Sequence, residues 1–203
     1  MLKELFEGHF YGTYPAVNDR VLQLDEKTKD GDFTLLDDNA CRDCHYVCSD
    51  DVNNREQLKV RSSSSAYIIS IDQVFSFVRE EVGDICDYMV ESGDVTALIE
   101  MTCSTSGYVK DKRQKARGQL YNTLSLLHTS PVVREHLEAR TSKYVIFSWK
   151  ETFAPEAEVD SVGQSMMDMT RMSDSVYSPD NESKFDFGYK LKEVRYPDFF
   201  ILS

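Results

Sequence analysis

Apolar and polar positions follow two rhythms along this chain, and the switches between them mark its elements. From Ala66, AYIISI is a short apolar, β-favouring run. In QVFSFVREEV, the residues Val74, Phe75, Phe77, Val78 and Val82 then fall on one helical stripe, with Asp72 suited to the N-cap and Gly83-Asp84 ending it. ICDYMVE and TALIEMTC are apolar runs separated by the turn Ser92-Gly93-Asp94 and predict a β-hairpin. Lys110–His128 is predicted helical, with Leu120, Leu124 and Leu127 on one face. Thr129-Ser130-Pro131 breaks it, and Pro131 opens a second helix through Val133 and Leu137. KYVIFSW has the unbroken apolar centre of a buried strand.

The flanks are less regular. Before Ala66 the aromatic residues Phe6, Phe10, Tyr11 and Tyr14 precede short candidate strands at Val21–Leu24, Phe33–Leu36 and Gln57–Val60, and residues 49–65 read as polar loop. Residues 151–183 are acidic, with four methionines between 166 and 172, and carry no strand signal. KFDFGYKL and EVRYPDFFIL predict a C-terminal hairpin. The pattern predicts an α/β fold, a central mixed sheet flanked by helices, over residues 66–203. An irregular N-terminal extension over residues 1–65 precedes it.

Charge narrows the function. The chain carries 23 basic and 35 acidic residues, a net charge of −12, whereas an autonomous sequence-neutral DNA binder is normally basic because phosphate neutralisation supplies its affinity. One positive island stands out: Lys110, Lys112, Arg113, Lys115 and Arg117 against the single acid Asp111. No apolar run approaches the roughly 20 residues needed to span a bilayer, and MLKELFEGHFYGTYP lacks the apolar region of a signal peptide. A cytoplasmic protein with no membrane association is expected.

An odd set of five cysteines fits reduced thiols. Cys86 and Cys103, in apolar runs, read as buried small hydrophobes. CRDCHYVC places Cys41, Cys44 and Cys48 on one short loop, three thiolates for a Zn²⁺ whose fourth ligand would be His9 or another distant side chain. Such a zinc would hold the N-terminal segment to the core. The other reading is that these thiols are unligated. The haem-attachment reading of Cys-x-x-Cys-His needs an exported apoprotein and does not suit this chain.

Asp87 and Glu100 raise a sharper question. Each is an acid on an apolar strand, costly to bury unless paired, hydrogen-bonded or metal-bound. Residues i and i+2 of a strand share a face, so Glu100 and Thr102 point the same way. Two carboxylates on neighbouring strands suit Mg²⁺ or Mn²⁺, which take oxygen ligands. The order helix, Asp-bearing strand, Glu-x-x strand, basic helix, apolar strand over residues 66–149 resembles the core of the PD-(D/E)xK nuclease superfamily.

The resemblance implies a restriction-endonuclease-like core in which Asp87 and Glu100 hold the metal, with the backbone of Met101 close by. It places Lys115 and Gln119 among auxiliary catalytic residues, and Glu80 or Glu81 as an extra helix acid. Lys110, Lys112, Arg113 and Arg117 would contact phosphate. Thr102 stands where the family carries a lysine, so Lys112 or Lys115 would have to supply that charge. The implied function is a metal-dependent nuclease, or a nuclease-derived nucleic-acid-processing subunit, acting with a protein partner. Small proteins of this kind often serve in defence systems. The alternative is a nuclease fold without catalysis that serves as an assembly or inhibitory subunit, its methionine-rich stretch 164–172 forming a partner surface; an acidic mimic of nucleic acid is a third reading. In the purely structural reading Asp87 caps a strand, Glu100 pairs with a cation of the basic helix, and that helix is a solvated face.

Overall fold

The computed structural model describes residues 2–11, 24–37, 45–47, 56–75, 82–104, 109–151 and 182–202. The chain opens with α1 (Leu2–Leu5), prolonged by a π-helical turn over Phe6–Phe10, and then forms β1 (Lys27–Lys29), β2 (Phe33–Asp37), β3 (His45–Val47) and β4 (Glu56–Ser62). β5 (Ala66–Ser70), α2 (Ile71–Val74), β6 (Tyr88–Ser92), β7 (Val95–Ser104), α3 (Val109–Leu127), α4 (Pro131–Glu138) and β8 (Ser142–Glu151) follow. The described chain closes with β9 (Glu182–Lys184), β10 (Lys190–Arg195) and β11 (Phe199–Leu202).

Seven strands form one mixed sheet in the order β1-β5-β6-β7-β8-β10-β9. Its first half is an antiparallel meander, while β7, β8 and β10 run parallel. Parallel neighbours need a crossover, and α3 with α4 supplies it between β7 and β8. The fold is therefore α/β with a mixed central sheet. Gly93, at φ +55°, makes the tight β6–β7 turn in a region that side chains rarely adopt.

Strand alternation gives this sheet two apolar faces. Ile69, Met89, Leu98, Val145 and Leu191 face the helices, meeting Leu120, Leu124 and Leu127 of α3 and Val133 and Leu137 of α4. Ile68, Val90, Ala97, Ile99 and Ile146 face a second sheet, ordered β11-β4-β2-β3, through Phe33, Leu35, Leu58, Val60, Phe200 and Leu202. The helices thus cover one face of the large sheet and the small sheet covers the other.

Segments expected as an irregular extension contribute to both cores. Leu2, Leu5, Phe6 and Phe10 recur at helical spacing and are buried on the helix side, with Phe10 edge-on to Phe75 at 5.3 Å. The C-terminal hairpin is shorter than expected: β9 pairs with β10, while β11 leaves to pair with β4 in the small sheet. Its alternation explains this, since Phe200 and Leu202 fill that core while Phe199 and Ile201 face outward. The expected strand at Val21–Leu24 and the helix beyond Phe75 fall mostly outside the described residues.

Glu91 of β6 is 5% exposed and lies under α4. Its oxygens lie 3.0 and 3.1 Å from His136 Nε2, and Arg140 Nη2 donates to it at 3.1 Å while Arg140 Nη1 donates to the Gly93 carbonyl at 3.0 Å. A buried carboxylate needs such partners, and these tie the end of α4 to the β6–β7 turn. Among the described residues no helix is long and apolar enough to cross a membrane.

Candidate metal and phosphate cleft

Pairing of β6 with β7 starts with Tyr88 opposite Ile99; Asp87 immediately precedes β6 and lines the same cleft as Glu100 of β7. Asp87 is fixed on both sides. Its N–H donates to the Ile99 carbonyl at 3.0 Å, its carbonyl accepts from Ile71 N–H at 2.9 Å, and its Oδ2 accepts from Met101 N–H at 2.7 Å.

Polarity changes in step along β7 and α3. On the helix side of β7, Leu98 gives way to Glu100 and Thr102, whose partners on β8 are Phe147 and Trp149. Leucines of α3 cover Leu98; one turn earlier Ala116 packs on Phe147 and Trp149. Earlier still, Lys112 and Lys115, with Gln119, line a cleft of about 300 Å³ together with Asp72, Asp84, Asp87, Glu100 and Thr102. Four acids against two lysines leave a formal excess of two negative charges among the lining residues. A single divalent cation would neutralise that excess.

The segment carrying Asp87 hangs from α3 by side-chain bonds. Gln119 Nε2 donates to the Ile85 carbonyl at 3.0 Å, and Asn122 Nδ2 donates to Val82 and Asp84 carbonyls at 2.6 and 2.9 Å. Thr123 Oγ1 accepts from Cys86 N–H at 2.9 Å while donating to the Gln119 carbonyl at 2.9 Å. Gly83, at φ +72°, makes the bend in this segment. Cys86 is fully buried, as its apolar surroundings suggest. Burial, and further the negative charges of Glu100 and Asp87, push its thiol well above the ordinary value, so it stays protonated beside the cleft.

The expected site residues divide. Asp87, Glu100, Thr102, Lys112, Lys115 and Gln119 share the cleft, whereas Lys110, Arg113 and Arg117 do not line it. Arg113 Nε forms an ion pair with Glu193 Oε1 at 2.8 Å, and Arg117 lies 5.4 Å from the Phe185 ring. Lys115 Nζ is 3.7 Å from Asp84 Oδ2; both side chains are more than half exposed, so water screens this contact. Cys41, Cys44 and Cys48, like Glu80 and Glu81, lie outside the described residues.

Sequence reasoning missed Asp72 as a lining carboxylate. Ser70, not Asp72, caps α2, its Oγ accepting from Gln73 N–H at 3.4 Å, which leaves Asp72 in the first turn facing the cleft. Among the described residues no three His, Cys, Asp or Glu side chains converge as a ready metal cage. Mg²⁺ does not require one, since it commonly takes one or two carboxylates and keeps several waters. Comparison with models of protein families, with curated proteins and with solved structures gave no match for this chain.

Proposed function

We propose that the chain is a metal-dependent nuclease, or a nuclease-derived nucleic-acid-processing subunit, with a restriction-endonuclease-like core, acting in a complex. The observation that carries this reading is that Asp87, just before β6, and Glu100 of β7 line one cleft with Lys112 and Lys115 of α3. Asp87 and Glu100 would hold Mg²⁺ or Mn²⁺. Such an ion, when bound, lowers the pKa of water and stabilises charge on phosphorus. Lys115, or Lys112 beside it, supplies the positive charge that Thr102 lacks, and both lysines attract the phosphate. Main-chain bonds from β7 and α2, with the side-chain clamp from α3, keep Asp87 in place without the metal, as preorganised chemistry requires.

The test is cleavage of labelled DNA and RNA in Mn²⁺ by the wild type, Asp87→Asn and Lys115→Met. The wild type should cleave, Asp87→Asn should not, and Lys115→Met should lose roughly 10²–10³ in rate, as for removal of one group that stabilises developing charge. Absence of cleavage by the wild type, with or without a partner, sinks the catalytic reading. One observation favours a second reading: Thr102, 6% exposed, gives the expected lysine position no charge. In that reading the fold is an assembly or inhibitory subunit that retains metal binding without turnover.

A further inference from the structure

Beyond the cleft, five cation–ring contacts gather around Trp149, Tyr196 and Phe199. Four of these five are linked through Tyr196, Lys59 and Phe199; the fifth, Arg195 on the buried Trp149, adjoins them because Tyr196 follows Arg195 and donates its N–H to the Trp149 carbonyl at 2.9 Å. Arg195 lies 4.9 Å from the Trp149 ring; Lys150 and Lys59 lie 4.7 and 5.4 Å from Tyr196; Lys59 and Arg61 lie 5.5 and 4.3 Å from Phe199.

Register explains the clustering. In β11 the buried residues Phe200 and Leu202 force Phe199 and Ile201 outward, 37% and 54% exposed, and β4 sets Lys59 and Arg61 directly beside them. At its other end this strip of contacts reaches the cleft: Arg195 is opposite Trp149, and Trp149 is opposite the cleft residue Thr102. These positions lie at the C-terminal ends of the parallel strands β7, β8 and β10, where α/β sheets usually bind ligands.

We propose that this strip binds single-stranded nucleic acid and leads it to the cleft; only the destination rests on the nuclease-like reading. The exposed Phe199 ring and the half-buried Tyr196 ring can serve unstacked bases, which a duplex does not offer, while the cations around them meet successive phosphates. In a chain of net charge −12 such a strip localises attraction for a polyanion. Asp32 pairs with Arg61 at 3.2 Å, but both side chains are about half exposed and the contact is weak enough for a phosphate to displace. An acidic protein segment would match the cations and leave the ring faces unused.

The test is fluorescence anisotropy of the full chain in EDTA, with a labelled oligothymidylate of about 20 nucleotides, longer than the roughly 4–16 nucleotides one such surface covers, and with a matching duplex. The wild type should prefer the single strand. Phe199→Ala should weaken it roughly 5- to 150-fold, the range for one lost base–ring stack. Lys59→Gln combined with Arg61→Gln should lower the salt slope by about 1.4, at about 0.7 per phosphate contact, and stands in should Phe199→Ala not fold. Preference for duplex, no oligonucleotide binding, binding of acidic protein only, or unchanged affinity and slope in the variants each overturns the proposal. The two readings separate cleanly. Strip-dependent binding without any Mn²⁺ effect removes the cleft reading alone, and Mn²⁺ binding with intact affinity in the strip variants removes the strip alone.

Discussion

Replacing Thr123 with valine tests whether α3 holds the metal-site segment in place. The side chain is fully buried, and valine matches its shape, so packing is nearly conserved. What goes is the acceptor for Cys86 N–H at 2.9 Å, on a residue that is itself fully buried. An unsatisfied buried N–H costs about 1–3 kcal/mol. The lost O–H bond to the Gln119 carbonyl adds little, because that carbonyl lies within the helix ladder. For a chain of about 150–250 residues each kcal/mol moves Tm by roughly 2–4 °C, so Thr123→Val should melt about 2–12 °C below wild type. Because Asp87 directly follows Cys86, metal-induced stabilisation should fall too, while Thr123→Ser, which keeps the hydroxyl, should retain it. Calorimetry and melts with and without Mn²⁺ measure both. A Thr123→Val protein as stable as wild type would refute the clamp.

Other residues give separate expectations. Burial lowers the pKa of His128, with Lys143 and Arg134 reinforcing and Glu138 opposing. The unfolded chain therefore takes up this proton first, and the contribution of His128 to stability is lost as pH falls from about 7 through 6.5 toward the folded value. His128→Phe, which keeps a ring against Phe187, should flatten the change in urea midpoint between about pH 7.5 and pH 5.5; an unchanged slope would count against it. Arg140→Met should cost toward the low end of about 3–5 kcal/mol, since Glu91 keeps His136 as its remaining partner; denaturant unfolding reads the loss, and a change below about 1 kcal/mol would show that Arg140 is dispensable. Metal analysis of protein purified without chelator should find close to one zinc per chain, reduced in Cys44→Ser; no zinc at all would end the cysteine-loop proposal.

Much of the central fold was legible because its signals are local. The leucine spacing of α3, Pro131 at the start of α4, the β6–β7 turn at Gly93 and the apolar centre of β8 each report on near neighbours in sequence. Asp87 and Glu100 were legible as a pair because the short turn at Gly93 folds the segment before β6 back alongside β7. The small sheet was not legible, since it joins β4 to β11, strands separated by most of the chain. Asp72 read as a cap because Asp and Ser both suit that role, and only the backbone shows that Ser70 holds it. The split of the basic helix depended on Glu193 and Phe185, which arrive near Arg113 and Arg117 only after β10 is placed.

The central claim is that Asp87 and Glu100 together bind one divalent ion. Thermal melts across a Mn²⁺ titration test it most directly, in the wild type and in Glu100→Gln. At about 100 times Kd, binding to the folded state alone stabilises by about 2.7 kcal/mol, a rise of roughly 5–11 °C for a chain of this size. The wild type should show that rise, and Glu100→Gln, folded without metal, should show none. A wild-type melting temperature unmoved by Mn²⁺, or a rise equally large in Glu100→Gln, would contradict the account.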